Sequence, residues 1–186
     1  MPKDLSINEV RFKSMVLIKG WSDTSDKIEP IITSYLELSS LPKVGAVYIQ
    51  KNTYIATLSP GHYMIFSDHQ SLLSELSKII VPENAVITDV SHSRRGIRLK
   101  GKNAPIILNK EIAIDLSNET TPESTVLQTS IHSIGVILVK HTSEDFLILS
   151  YSSFFKSLSS WLIDSCLLYT SPSPRDQRGS RMPSSA

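Results

Sequence analysis

With 186 residues, 40% of them hydrophobic and 20% charged, the chain is long enough for one large domain or two small ones and can bury a core. The formal charge is +1, and Cys166–Ala186 supplies the excess through Arg175, Arg178 and Arg181 against Asp176, so a near-neutral body gives no electrostatic case for nucleic acid or an anionic membrane. The single cysteine, Cys166, excludes an internal disulfide and a cysteine-cluster metal site, no apolar run approaches the roughly 20 residues of a membrane span, and the N-terminus lacks an apolar signal region, so the reading is of a soluble, cytoplasmic protein.

Leu5 to Gly20 reads as two extended segments, the second containing the continuous apolar run Met15–Ile18. Asp23 to Leu38 reads as a helix capped by Ser25 or Asp26, with Pro30 in its first turn and Ile28, Ile31, Ile32, Tyr35 and Leu36 on one side. Val44–Ile49, Tyr54–Leu58 and Tyr63–Phe66 are short strands separated by the turns Lys51-Asn52 and Ser59-Pro60-Gly61. Gln70–Ile80 is an amphipathic helix stopped by Pro82, and Ala85–Val90 is the next strand.

The stretch Asp89–Leu116 organises the second half. Ile97 and Leu99 alternate with Arg98 and Lys100, the pattern of a half-buried strand, and Gly101 ends it. Asn103 sits where a cap belongs, Pro105 suits a first helical turn, and Ile106, Ile107 and Leu108 supply an apolar side. After a polar loop, Thr125–Ile131, Val136–Lys140 and Phe146–Leu149 read as strands, and Ser152–Asp164 as a closing helix.

The two halves read as copies. Val16-Leu17-Ile18-Lys19-Gly20 matches Ile97-Arg98-Leu99-Lys100-Gly101, and Tyr63–Ser67 matches Phe146–Ser150. Leu72, Leu73, Leu76, Ile79 and Ile80 match Phe154, Phe155, Leu158, Trp161 and Leu162, which predicts one buried face on each helix. The predicted fold class is therefore α+β, built as two similar β-β-α-β-β-β-α halves over residues 4–83 and 85–165. Residues 166–186, rich in proline and without periodicity, read as a disordered tail. They closely resemble the translated adaptor sequence found on truncated environmental reads, which would put the native C-terminus after about Ser165 outside this sequence.

Fingerprints for cofactor chemistry are absent. No G-x-G-x-x-G follows a strand and no G-x-x-x-x-G-K-[ST] occurs, so no phosphate-cradling loop for a dinucleotide or flavin is readable. His62, His69, His92, His132 and His141 show no metal-ligand spacing, and Ser91-His92 beside Asp89 cannot form a relay because neighbours on a strand point to opposite faces. Thus no catalytic, cofactor-binding or metal residue is assigned. Trp161 reads as core and Trp21 as a rim residue, with stacking on a ligand or partner as its alternative. The densest positive run contains Arg94, Arg95, Arg98 and Lys100. It reads either as a solvated strand edge or as a partner-docking face, with Arg94 and Arg95 in a turn and Arg98 and Lys100 facing outward.

A family resemblance rests on a string of short motifs. Asp89-Val90-Ser91, Ile97-Arg98-Leu99-x-Gly101-x-x-Ala104-x-x-x-Leu108 and Asp115-Leu116 resemble the gamma subunit of heterotetrameric sarcosine oxidase. So do Gln128-Thr129, Ile134-x-Val136-x-Leu138, Phe146-x-x-Leu149 and Ser157-Leu158-x-x-Trp161-Leu162, in order. Glu111, where that family often has Gly, and Pro105, where a polar residue is usual, depart from it. The resemblance implies a fold like the folate-binding domains of aminomethyltransferase. It also implies a non-catalytic subunit with alpha, beta and delta partners, in a complex that demethylates sarcosine oxidatively to glycine, with hydrogen peroxide and 5,10-methylenetetrahydrofolate as co-products. FAD, FMN, NAD and tetrahydrofolate are then expected on the partner subunits and not on this chain. The alternative is a free-standing folate-binding protein of the same fold, although the K-G-C-[YF]-x-G-Q-E motif of the related iron–sulfur assembly factor is absent.

Overall fold

Alternating apolar positions demand paired strands with one covered face, and here they form two sheets packed face to face. The computed structural model describes residues 5–170. Its elements are β1 (Leu5–Val10), β2 (Ser14–Gly20), α1 (Ser25–Tyr35), β3 (Val47–Gln50), β4 (Thr53–Ser59), β5 (His62–Ser67) and α2 (Leu72–Ile79). Then come β6 (Ala85–Asp89), β7 (Arg94–Gly101), α3 (Ala104–Glu111), β8 (Thr125–Ile131), β9 (Ile134–Thr142), β10 (Asp145–Tyr151) and α4 (Phe155–Thr170). This is the α+β succession the sequence predicts, and among the described residues no helix is long and apolar enough to cross a membrane.

The first sheet has the order β3-β4-β5-β2-β6 and the second β1-β7-β10-β9-β8, with antiparallel pairing throughout. Set side by side, the two orders are equivalent, except that each sheet takes its outermost first strand from the other half. β1 pairs with β7, Leu5 opposite Gly101 and Val10 opposite Gly96, while β6 pairs with β2, Gly20 opposite Ala85 and Val16 opposite Asp89. The sheets are also joined at the opposite side, where Ala46 bridges Thr125, the Val47 amide donates to the Ser124 carbonyl at 2.8 Å and the Val126 amide to the Gly45 carbonyl at 2.9 Å.

Three apolar layers follow. Ile28, Ile32, Leu72 and Leu76 of α1 and α2 cover Val16, Ile18, Ile55 and Ile65 on the outside of the first sheet. Met15, Tyr54, Met64 and Phe66 meet Ile137, Val139, Leu147 and Leu149 between the sheets. Ile107, Leu108, Leu158 and Leu162 of α3 and α4 cover Ile97, Leu99, Phe146 and Ile148 on the outside of the second. Phe12, in the crossover from β1 to β2, seals the middle layer edge-on to Tyr54 and Phe66 at 5.4 and 4.9 Å.

Several local expectations change. Pro30 lies inside α1, beyond the first turn, and Thr24 rather than Ser25 or Asp26 holds the cap position. Ile79, Phe154 and Trp161, expected in the core, are exposed. On α2 the buried set is Leu72, Leu76 and Ile80, and on α4 it is Phe155, Leu158 and Leu162, so each helix buries a narrower stripe than its apolar content suggests. Ile106 is likewise exposed while Ile107 and Leu108 are buried. The closing helix does not stop at Asp164. It runs through Thr170, and Cys166, assigned from sequence to the tail, is 1% exposed in the outer core, where burial pushes its thiol pKa up. Helical periodicity places Cys166 one turn after Leu162, and the proline-rich composition that suggested a tail begins only beyond the helix. The remainder of the predicted tail, from residue 171, lies outside the described residues.

Candidate functional site

The four cations singled out by the sequence all lie on β7, whose position in the fold decides what they can do. β7 is not an edge strand, since β1 pairs on one side and β10 on the other. Arg94 and Arg95 belong to the strand and not to the turn before it. Alternation then divides the four residues between two faces. Arg94, Arg98 and Lys100 share the inter-sheet side with Gly96, whose neighbour across the strand is Leu149. Arg95 points to the helix side, its guanidinium 3.8 Å from the centre of the Phe155 ring.

Three of the cations have partners within the chain. Arg98 donates through Nε and Nη2 to the two carboxylate oxygens of Asp145 at 2.8 and 2.7 Å, the bidentate geometry that planar guanidinium suits. Burial alone would push the Asp145 pKa up; hydrogen bonds and charge from Arg98, with His141 and Lys100 nearby, outweigh it and hold the carboxyl below its ordinary value. Lys100 stands 3.8 Å from the same carboxylate and is otherwise largely solvated. Arg95 donates to Glu9 of β1 at 2.7 Å, and Arg11 shares that carboxylate at 2.5 Å. Both hold Glu9 below the ordinary carboxylate range. Arg94 instead lies over the Tyr151 ring, 4.4 Å from its centre, and among the described residues no carboxylate pairs with it.

Arg94 therefore stands out by a criterion that a run of charges in sequence does not contain. It lines three adjoining cavities. One, of about 290 Å³, lies between the β1–β2 and β6–β7 crossovers and is lined by Arg11, Lys13, His92 and Arg95. A shallower one, about 420 Å³, follows β8, β9 and Tyr151. The third, about 160 Å³, enters between the sheets beside Leu17, Met64, Val90 and Ile137. A separate recess of about 310 Å³ lies near α2, and its Tyr35 and Glu75 side chains are already engaged with each other. There Tyr35 and Ser71 both donate to Glu75, and desolvation with the Glu75 charge pushes the Tyr35 pKa up to about 12.

Two functional-looking groups were not legible beforehand. Asp145 opens β10 just ahead of the apolar run Phe146–Leu149, and only the pairing of β10 with β7 reveals why a carboxylate is needed there. Lys140, 1% exposed, ends an apolar run in β9 and donates to the carbonyls of Leu116 and Thr121, both at 2.6 Å. Desolvation lowers its pKa. The signal for both was a single charge at the end of an apolar strand run, a pattern that predicts a buried partner without naming it. Trp21 is committed to the fold, its indole donating to the Pro82 carbonyl at 2.9 Å, while Trp161 lies edge-on to His132 with ring centres 4.6 Å apart. Among the described residues no group of three or more His, Cys, Asp or Glu is arranged to hold a metal ion.

No protein-family model matches the chain. It is 27% identical over 115 residues to sarcosine oxidase subunit gamma from Corynebacterium sp. (strain P-1), covering 61% of this chain and 57% of that one. It is 25% identical over 123 residues to sarcosine oxidase subunit gamma from Arthrobacter sp., covering 66% and 61%. These matches span less than two thirds of either relative. Among solved structures, heterotetrameric sarcosine oxidase from Corynebacterium sp. U-96, in complex with pyrrole 2-carboxylate, superposes with a TM-score of 0.80 at 23% identity, covering 90% of this chain and 86% of that one. Aminomethyltransferase T of the glycine cleavage system from Bartonella henselae follows at a TM-score of 0.61 and 13% identity, covering 86% of this chain and 45% of that one. At these identities the two structures establish the fold, which is aminomethyltransferase-like, as the sequence implied. This chain resembles sarcosine oxidase subunit gamma in sequence and shares its fold with a chain of heterotetrameric sarcosine oxidase.

Proposed function

We propose that this chain is the non-catalytic gamma subunit of a heterotetrameric sarcosine oxidase. In that assembly alpha, beta and delta subunits would complete the complex and hold FAD, FMN, NAD and tetrahydrofolate. The assembled enzyme would demethylate sarcosine to glycine, releasing hydrogen peroxide and passing the one-carbon unit on as 5,10-methylenetetrahydrofolate. The observation that carries the reading is agreement between two independent comparisons, since sequence and fold both lead to the same kind of complex. We read the two halves, 4–83 and 85–165, as copies of one unit, a reading supported by the equivalent strand orders of the sheets.

A subunit without chemistry contributes through surface, and the β7 cations remain the proposed partner-facing residues. Their internal pairing changes how they should be tested. Arg98→Glu would place a second carboxylate against buried Asp145 and disturb the fold itself. Arg94 and Lys100 lack that bidentate commitment, so Arg94→Glu with Lys100→Gln, which adds no carboxylate beside Asp145, is the cleaner probe. The experiment is co-expression with alpha, beta and delta chains of a sarcosine oxidase. Stoichiometric co-purification of the wild type, and its loss in a double variant with unchanged melting temperature, is the expected result. A wild-type chain that never joins the complex and instead binds tetrahydrofolate alone would overturn the subunit reading.

A further inference from the structure

Arg94 is where an uncompensated charge meets an apolar opening. The slot entering between the sheets has a volume of about 160 Å³, close to the roughly 150 Å³ apolar cavity known to accept benzene. Its walls are Leu17 of β2, Met64 of β5, Val90 and Ile137 of β9, with Leu58 at the side. Its polar lining is confined to His62, Arg94 and Gln128. His62 is already tied through Nδ1 to the Ser59 hydroxyl at 2.8 Å. Apolar walls with a few convergent polar groups are the composition of small-molecule sites. Arg94 is the slot's one lining arginine or lysine, and the Tyr151 ring beneath its guanidinium restrains it without neutralising it.

The surroundings add to the positive potential. Arg11, Lys13 and Arg95 line the adjoining cavity, and among the described residues Glu9 is the carboxylate that Arg11 and Arg95 share. Lys13 has no carboxylate partner among the described residues. A charge of this sign at the mouth of an apolar slot selects a ligand that is apolar at one end and anionic at the other.

We propose that this slot binds a small organic acid, with a ring-sized apolar body held among Leu17, Met64, Val90 and Ile137 and its carboxylate paired with the Arg94 guanidinium. A planar carboxylate uses the arginine fork fully, whereas an inorganic ion would leave the apolar walls uncovered. The site is lined by this chain's residues alone, and because Arg94 is also a proposed partner-facing residue, binding is tested on the isolated chain.

The test is calorimetric titration of the full chain with benzoate, benzamide, acetate and inorganic phosphate. The expected result is saturable binding of benzoate at one site, at least tenfold weaker for benzamide, acetate and phosphate. Arg94→Gln should weaken benzoate at least tenfold, and Arg95→Gln should leave it within threefold. Val90→Phe, which fills the slot without changing charge, provides a second arm and should abolish binding while the thermal transition stays cooperative. Benzoate binding that is indifferent to both Arg94→Gln and Val90→Phe would overturn the proposal. So would equal binding of phosphate, which marks general surface charge. A wild type that shows no saturable benzoate binding also overturns it, and loss of protein partners on Arg94→Gln would then show that Arg94 receives an acidic side chain from a partner instead.

Discussion

Arg98 and Asp145 pair diagonally across neighbouring strands of the second sheet, with both carboxylate oxygens gripped by one guanidinium at 2.8 and 2.7 Å. Asp145 is 4% exposed, so the arginine is what makes its charge tolerable. Arg98→Met should destabilise the fold by about 2–4 kcal/mol, below the top of the range for breaking buried pairs because Arg98 is partly solvated and His141 and Lys100 remain nearby. The pH dependence has a definite sign. The folded carboxyl pKa is lower than the ordinary 3.8, so the stabilisation is complete above the unfolded value and disappears as pH falls through the folded one. Thermal melts should therefore show the wild-type advantage over Arg98→Met shrinking below about pH 4. An advantage that stays constant into strong acid would mean the charge of Asp145 plays no part.

Lys140 is expected to behave as a staple for the loop between α3 and β8. Its ammonium holds the Leu116 and Thr121 carbonyls, two points within that loop. Lys140→Met keeps the apolar stem but strands both acceptors, at a cost of about 2–3 kcal/mol. Hydrogen exchange should quicken over residues 112–124 before it does elsewhere. Uniform quickening across the chain would instead show that Lys140 supports the whole sheet rather than this loop.

Gly96 and Gly135 make a contrasting pair. A Cβ at Gly96 would lie 3.1 Å from the Val10 carbonyl oxygen and 3.2 Å from both Leu147 and Leu149, between β1 and the inter-sheet core. Gly96→Val should cost about 1–3 kcal/mol through overpacking. At Gly135 a Cβ meets nothing within 4 Å, so Gly135→Ala should be within about 0.5 kcal/mol of wild type. Chemical denaturation of both variants checks the contrast, and equal stabilities would contradict the packing described here.

Removing residues 1–10 takes β1 away and exposes β7 along its length, Gly96 to Gly101 included. The expected product self-associates or aggregates, because an uncovered interior strand is a template for pairing. Light scattering of the truncated chain tests this; a stable monomer with an unchanged melting temperature would show that β1 is decoration.

The order and type of the elements were legible because strand alternation and helix periodicity are local properties. Val16–Gly20 and Ile97–Gly101 look alike in sequence and occupy equivalent interior strands, each next to an edge strand, in the two sheets. What could not be read was which strand lies beside which. β7 therefore looked like a free edge, although β1 and β10 flank it. The same gap hid Asp145, so Arg98 was read as outward and available when it is already engaged. Trp161 misled in another way: an aromatic residue on an apolar helix suggests core, yet the turn at His132 receives it at the surface. Cys166 was judged by the company of a proline-rich segment when helical phase with Leu162 was the better guide.

The crossed first strands also set an order of events during synthesis. Emerging from the ribosome, β1 has no place to go, since its partner β7 follows the entire set of strands that make the first sheet. The first sheet in turn waits for β6, the opening strand of the second half, before its β2 edge is covered. Nascent chain halted anywhere before β7 thus carries one orphan strand, and chain halted before β6 carries an open sheet as well. Folding here is postponed until β7 has been made, and the interval in which unpaired strands are exposed is fixed by topology, not by the stability of either sheet.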